Sequence, residues 1–149
     1  MFKMSFNKMQ LQERIHSTIP ISEKMGYEIV GISEAVIDTR APLQLNINIH
    51  NTGFAGSLYS IAALTAWSLC HYAIELNQLD ASLVIANANI DYFRPVESDI
   101  ECHCSAVAGD MTVFIATLQQ GQRAKLNLEV TINNGKALMT ALMVATPHV

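Results

Sequence analysis

Polar and apolar residues change period several times along this chain, and each change marks an element. Residues Ser5 to Ser17 read as a short amphipathic helix. Met9, Leu11 and Ile15 share the docking side, Gln10, Gln12, Glu13 and Arg14 face water, and Pro20 ends it. Ile21 to Met25 reads as a further turn before Gly26. Tyr27 to Ile37, rich in Val and Ile, reads as a strand, and Asp38, Thr39, Arg40 and Pro42 as the turn that follows. Leu43, Leu45, Ile47 and Ile49 alternate with Gln44, Asn46, Asn48 and His50, which predicts a second, half-buried strand. Leu58 to Leu76 has almost no polar break and predicts a helix over about Gly56 to Asn77, covered on several faces.

Strand patterns dominate the rest. Leu83 to Phe93, stopped by Pro95, and Ile100 to Val107 read as strands. Met111 to Gln120 has helical spacing, with Asp110 placed to cap it and Gly121 to close it. Leu126, Leu128, Val130 and Ile132 alternate with Lys125, Asn127, Glu129 and Thr131. Asn133-Asn134-Gly135 then predicts a hairpin turn into a last strand, Leu138 to Ala145, before Pro147. Hairpin-like links favour an antiparallel sheet, and a helix lying in its concave face would be buried all round. The expected class is α+β, in a single domain over 1–149 whose first 25 residues form an N-terminal helical segment.

Composition narrows the function. Half of the 149 residues are hydrophobic and only 15% are charged, which points to surface hidden in an oligomer. The net charge is −4 and basic residues are scattered, so neither nucleic acid nor an anionic membrane is an expected partner. Phe54 to Leu76 is nearly long enough to span a bilayer. Ser57, Ser60, Thr65, Ser68, His71 and Glu75 interrupt it, and a membrane span is set aside. An odd set of three cysteines and no export-type leader point to a reducing, cytoplasmic setting. Cys102-His103-Cys104 lies in a strand pattern that sends the thiols and the imidazole to opposite faces, so no metal is expected.

The stretch with chemical content is His50-Asn51-Thr52-Gly53-Phe54-Ala55-Gly56-Ser57, between the second strand pattern and the long helix. The first N–H groups of a helix lack partners within it, and glycines let a ligand approach the backbone. Such an end can hold a carbonyl oxygen that gains negative charge. The same glycines also suit a tight turn and close packing of the helix. His50, the one imidazole near the loop, reads as a base or as a solvated side chain.

That element order, with Asn51-Thr52-Gly53-Phe54-Ala55-Gly56-Ser57-Leu58 and Trp67, resembles the hotdog fold of acyl thioesterases and dehydratases. In detail it is similar to the thioesterase family named for the C-terminal domain of YiiD. Asp91-Tyr92-Phe93-Arg94-Pro95-Val96 with Asp99, and Gly121-Gln122-Arg123-Ala124, look like other parts of that pattern. The resemblance implies a sheet wrapped around the long helix. It also implies a homodimer or a dimer of dimers, paired edge to edge, with sites between subunits. The implied substrate is an acyl thioester on coenzyme A or on acyl carrier protein, with no cofactor.

Related loops bind the thioester carbonyl through a backbone N–H. By that resemblance Ala55, with Gly56 assisting, would hold the oxyanion. Many relatives carry a carboxylate further into the helix, and the matching position here is Ala63. Asn51 then reads as the group that positions water or the carbonyl, or else as a turn residue. Asp91 reads as a base near a dimer seam, or as an exposed partner of Arg94. Phe54, Ser57, Thr65, Tyr92 and Arg94 are the expected substrate-binding residues, with Arg94 placed to meet a phosphate of coenzyme A. The expected function is thioester hydrolysis. The alternative, motivated by Ala63, is a module that binds acyl thioesters without cleaving them.

Overall fold

The computed structural model describes residues 6–148. The chain opens with α1 (Lys8–Thr18), capped by an Asn7–Gln10 capping box, and α2 (Pro20–Lys24). Ser5, the expected first residue of the opening helix, lies outside the described residues. Leu11 and Ile15 dock as expected, whereas Met9 is 69% exposed. There follow β1 (Glu28–Ile32), β2 (Val36–Ala41), a 3-10 turn at Leu43–Leu45, and α3 (Ala55–Leu76). The remainder is β3 (Ala81–Tyr92), β4 (Ile100–Ser105), α4 (Asp110–Gln119), β5 (Ala124–Ile132) and β6 (Ala137–Pro147). The six strands form one antiparallel sheet in the order β1-β2-β4-β5-β6-β3.

The sheet curls around α3, which packs against β2 to β6. Alternation sends one row of each central strand inward. Ile100, Cys102 and Cys104 of β4 are buried, as are Leu126, Leu128 and Val130 of β5 and Met139, Ala141 and Met143 of β6. Alanines at 62, 66, 73, 137, 141 and 145, all buried, let the helix lie close on the sheet. Inside, Tyr27 Oη bonds Ser68 Oγ (2.9 Å) and Thr39 Oγ1 bonds Thr65 Oγ1 (2.8 Å), so these four hydroxyls beneath the sheet are paired.

The sequence pattern and the fold part company in the first third. The strand expected over Tyr27 to Ile37 is two strands of a hairpin: Ser33 accepts from the Val36 N–H and turns the chain. Asp38, Thr39 and Arg40, expected as a turn, lie inside β2. The strand expected over Leu43 to Ile49 does not form. Asn46, 2% exposed, donates its amide to the Met25 and Pro42 carbonyls (both 2.8 Å). Those local bonds replace a ladder, and Ile49 is left 91% exposed. Asp110 is the first residue of α4 rather than its cap, which is Gly109 in a left-handed conformation.

Candidate active site

The segment from Asn46 to Phe54 is a loop built on two asparagine amides. Asn48 Oδ1 accepts from the His50 and Thr52 N–H groups (2.9 and 3.0 Å), and its Nδ2 donates to Thr52 Oγ1 (2.9 Å). Asn51 at the tip has φ of 62°, a left-handed conformation that asparagine tolerates. The loop returns through Gly53 N–H to the Val96 carbonyl and Phe54 N–H to the Asn46 carbonyl, both 2.8 Å. Below it, Asp99 accepts from the Leu43 N–H (3.0 Å) and from Arg40 (2.5 Å). Those two donors hold its carboxyl below the usual carboxylate range.

Phe54 ends the loop as the N-cap of α3, in extended conformation, and no side chain caps the helix. Among the described residues, the N–H groups of Ala55, Gly56 and Ser57 meet no acceptor. Both glycines also have steric reasons to be there. A Cβ on Gly53 would meet Leu58 at 3.1 Å and Val96 at 3.3 Å, and one on Gly56 would stand 2.5 Å from the Phe54 ring. The packing role and the free amides coexist.

A cleft of about 330 Å³ opens at this helix end, lined by Asn48, Thr52, Gly53, Ala55, Tyr92 and Arg94 among others. Tyr92, from the end of β3, donates its hydroxyl to the Ala55 carbonyl (2.8 Å). Burial, and then the nearby Tyr59 phenol, push Tyr92 up from its ordinary pKa, so it stays a donor. The Phe93 and Arg94 N–H groups both bond the Lys136 carbonyl, which fixes that wall.

The structure thus gathers Ala55, Tyr92 and Arg94 at one cleft, with Gly56, Phe54 and Ser57 adjoining in the first turn of α3. It does not bring Thr65 there: Thr65 is fully buried, its hydroxyl held by Thr39 and the Ile61 carbonyl. Nor does Asp91 reach the cleft of its own chain. Tyr92 and Ile90 pair with the buried Ala137 and Met139, so Asp91 stands on the opposite, outer face of the sheet. Asn51 and His50 are exposed at the loop tip; the Asn51 N–H donates to the Asn48 carbonyl (3.1 Å), and its side-chain amide meets no partner among the described residues. Cys102 and Cys104 are buried, Cys102 with its thiol pushed up by burial to about 12, while His103 faces out and bonds Asp38 (2.6 Å). Sequence reasoning missed Asn46 and Asn48 as the loop's scaffold. Their signal was present: asparagines at 46, 48 and 51 before Thr52-Gly53 are turn chemistry rather than strand chemistry.

A family model described as "Putative thioesterase (yiiD_Cterm)" matches residues 8–143. The chain belongs to this YiiD C-terminal family. A crystal structure described as a putative thioesterase from Shewanella oneidensis is 34% identical, with 94% of this chain and 97% of that one covered and a TM-score of 0.85. A protein of unknown function from Chlorobaculum tepidum is 23% identical over 95% and 94% of the two chains, with a TM-score of 0.88. A probable thioesterase from Pseudomonas aeruginosa is 18% identical over 97% and 99%, with a TM-score of 0.79. The last two speak to the fold alone. Family membership and the wrapped central helix make this a hotdog protein of a thioesterase family. Among the described residues, no helix is long and apolar enough to cross a membrane.

Proposed function

We propose that the protein hydrolyses acyl thioesters carried on coenzyme A or on acyl carrier protein. The observation that carries this reading is the set of unpartnered N–H groups at Ala55, Gly56 and Ser57 beside the cleft. Water attacks the thioester carbonyl carbon, and the oxygen that becomes negative is held by the Ala55 N–H, with Gly56 assisting. The positive end of α3 points the same way. The tetrahedral adduct collapses, the C–S bond breaks, and the thiolate leaves to take up a proton. Asn51, with a free amide at the loop tip, orients the water, and Arg94 offers its charge to a phosphate of the carrier.

The protein acts as a homodimer in this reading, paired along β3. That strand has a neighbour on one side only, and its inward residues Leu83, Ile85, Ala88 and Ile90 are half-buried while their β6 partners are fully buried. Tyr92 ends β3, so the cleft borders the seam. Asp91 is the one carboxylate of β3 and the group to test as a base acting across it.

A second reading keeps the cleft and drops the chemistry. Among the described residues no carboxylate or imidazole lines it, and Ala63 stands where the resemblance leads one to expect an acid, which favours a module that binds acyl thioesters intact. Thiol release from a panel of acyl-CoA substrates separates the two. Turnover above background that falls in Asn51→Ala and Asp91→Asn supports hydrolysis. Tight binding with ligand recovered intact supports the module, and neither binding nor turnover sinks both.

A further inference from the structure

The sheet has two outer strands, β1 and β3, and α1 lies along the first. Lys8, Gln12 and His16 recur at four-residue spacing, which puts them in one row of the helix. Each of the three bonds the backbone of β1 or of the residue leading into it. Lys8 Nζ donates to the Val30 carbonyl (3.2 Å), Gln12 Oε1 accepts from the Ile29 N–H (2.7 Å), and His16 Nε2 donates to the Tyr27 carbonyl (2.9 Å). The Ser22 carbonyl of α2 accepts from the Tyr27 N–H (3.0 Å). Gln12, whose polarity placed it with the water-facing residues, turns to the strand instead. Leu11 and Ile15, both fully buried, pin the same helix to the core.

We propose that α1 is a surrogate strand: its polar row occupies the free edge of β1, so that copies of this chain join sheet to sheet through β3 and not through β1. The repeats match. Four helical residues rise about 6 Å, and two strand residues advance roughly 6.6 Å. The step from Gln12 to His16 therefore follows the step from Ile29 to Tyr27. Lys8 reaches Val30, where the β1–β2 register shifts between Ile29 and Gly31, and its long side chain takes up the irregularity. A cation in the first turn opposes the helix dipole, and that turn has no acidic residue, so the Val30 carbonyl accounts for Lys8 where the helix does not. A bare outer strand offers a row of N–H and C=O groups to any other strand, and natural sheets cover such edges. A chain open at both outer strands would add copies without end, whereas one open strand lets assembly stop at a pair. None of this depends on thioester chemistry.

The test uses the full chain with Lys8→Ala, Gln12→Ala and His16→Ala made together, which strips the polar row and keeps Leu11 and Ile15. Mass is followed by light scattering against concentration. Val30→Cys, placed in the native and in the stripped chain, marks the edge. Val30 is 52% exposed and the chain's own cysteines are buried, so a short bismaleimide joins two copies where one β1 meets another. The stripped chain should form multiples of the native mass that grow with concentration. Its cross-linked fraction should rise on the order of tenfold, with three bonds to the edge removed. Gln12→Leu isolates one bond: the Ile29 amide should exchange with deuterium about fivefold faster. Gln12→Glu, which keeps an acceptor, should leave that amide protected. Should the stripped chain fail to fold, Gln12→Leu with Val30→Cys carries the mass and cross-linking arms. Native mass at every concentration with a freed Ile29 amide would overturn the inference, because the edge would stand open and unused. Growth without cross-linking at position 30 would place the new contact elsewhere and overturn it too, as would an Ile29 amide indifferent to Gln12→Leu.

Discussion

The two ends of α3 are finished in opposite ways. At its C-terminus the carbonyls of Ala73, Ile74 and Glu75 are each answered. The Asn77 N–H and side-chain amide both donate to the Ala73 carbonyl (3.2 and 2.7 Å), Gln78 N–H to Glu75 (3.0 Å) and Leu79 N–H to Ile74 (3.1 Å). At its N-terminus the cap is a phenylalanine, which offers no acceptor, although serine, threonine, asparagine and aspartate are the usual choice there. The loop that leads in has asparagines at 46, 48 and 51, and none caps the helix. The open end is thus maintained beside a cleft by a loop whose polar side chains are spent elsewhere.

The most damaging change should be Asn46→Leu. It removes a buried amide that bridges the Met25 and Pro42 carbonyls and leaves both without that donor. A loss of about 2–4 kcal/mol is expected from the urea midpoint, with activity lost as the loop loosens. A shift below about 1 kcal/mol would mean that the loop does not depend on this bridge. Phe54→Asp should next separate stability from chemistry. A carboxylate at the N-cap would occupy the free amides, raising stability by about 0.5–2 kcal/mol and lowering turnover on the order of a hundredfold. Turnover that survives a well-capped helix would end the proposed role of those amides.

Asn77→Ala probes the other end and should act on stability alone, costing about 0.5–1.5 kcal/mol with unchanged turnover per folded molecule. A kinetic defect there would blur the contrast between the two ends. The smallest effect concerns pH. Burial first, and then Arg14, hold His71 below its ordinary 6.5, against the pull of Glu75. The unfolded chain therefore binds the proton more readily than the folded one, and the stabilising contribution is fully present above pH 6.5. It is lost progressively as the pH falls through the lowered value. Denaturant midpoints taken across that range should fall more steeply with acid in the native protein than in His71→Gln, and equal slopes would show that His71 is not the group responsible.

Long elements with an unambiguous period were legible from the chain alone. α3 and β3 to β6 lie within a few residues of their sequence-based limits, because burial on a curved sheet imposes strict alternation. The first third was not. Leu43, Leu45, Ile47 and Ile49 have a strand's period, yet the Asn46 and Asn48 amides bond the local backbone and the alternation has no sheet to serve. The turn at Ser33 was hidden inside a run rich in Val and Ile. At the site, the glycines flanking Phe54 revealed the free helix end. The sequence could not tell that Thr65 faces inward, since a threonine in a helix buried on most sides can point either way. Asp91 was hard to place for another reason: its face depends on the β3–β6 register, which shifts between Ile85 and Asn87.

The pairing of β3 bears on how the chain is made. Ala81 aligns with Pro147 and Tyr92 with Ala137, so among the described residues this strand's neighbour is β6, which is synthesised only after β4, α4 and β5. While translation proceeds, a twelve-residue segment rich in aliphatic groups waits with both borders bare. Such a segment is prone to mispairing between nascent chains on one message, and slowed synthesis of the stretch from β4 to β6 prolongs the hazard.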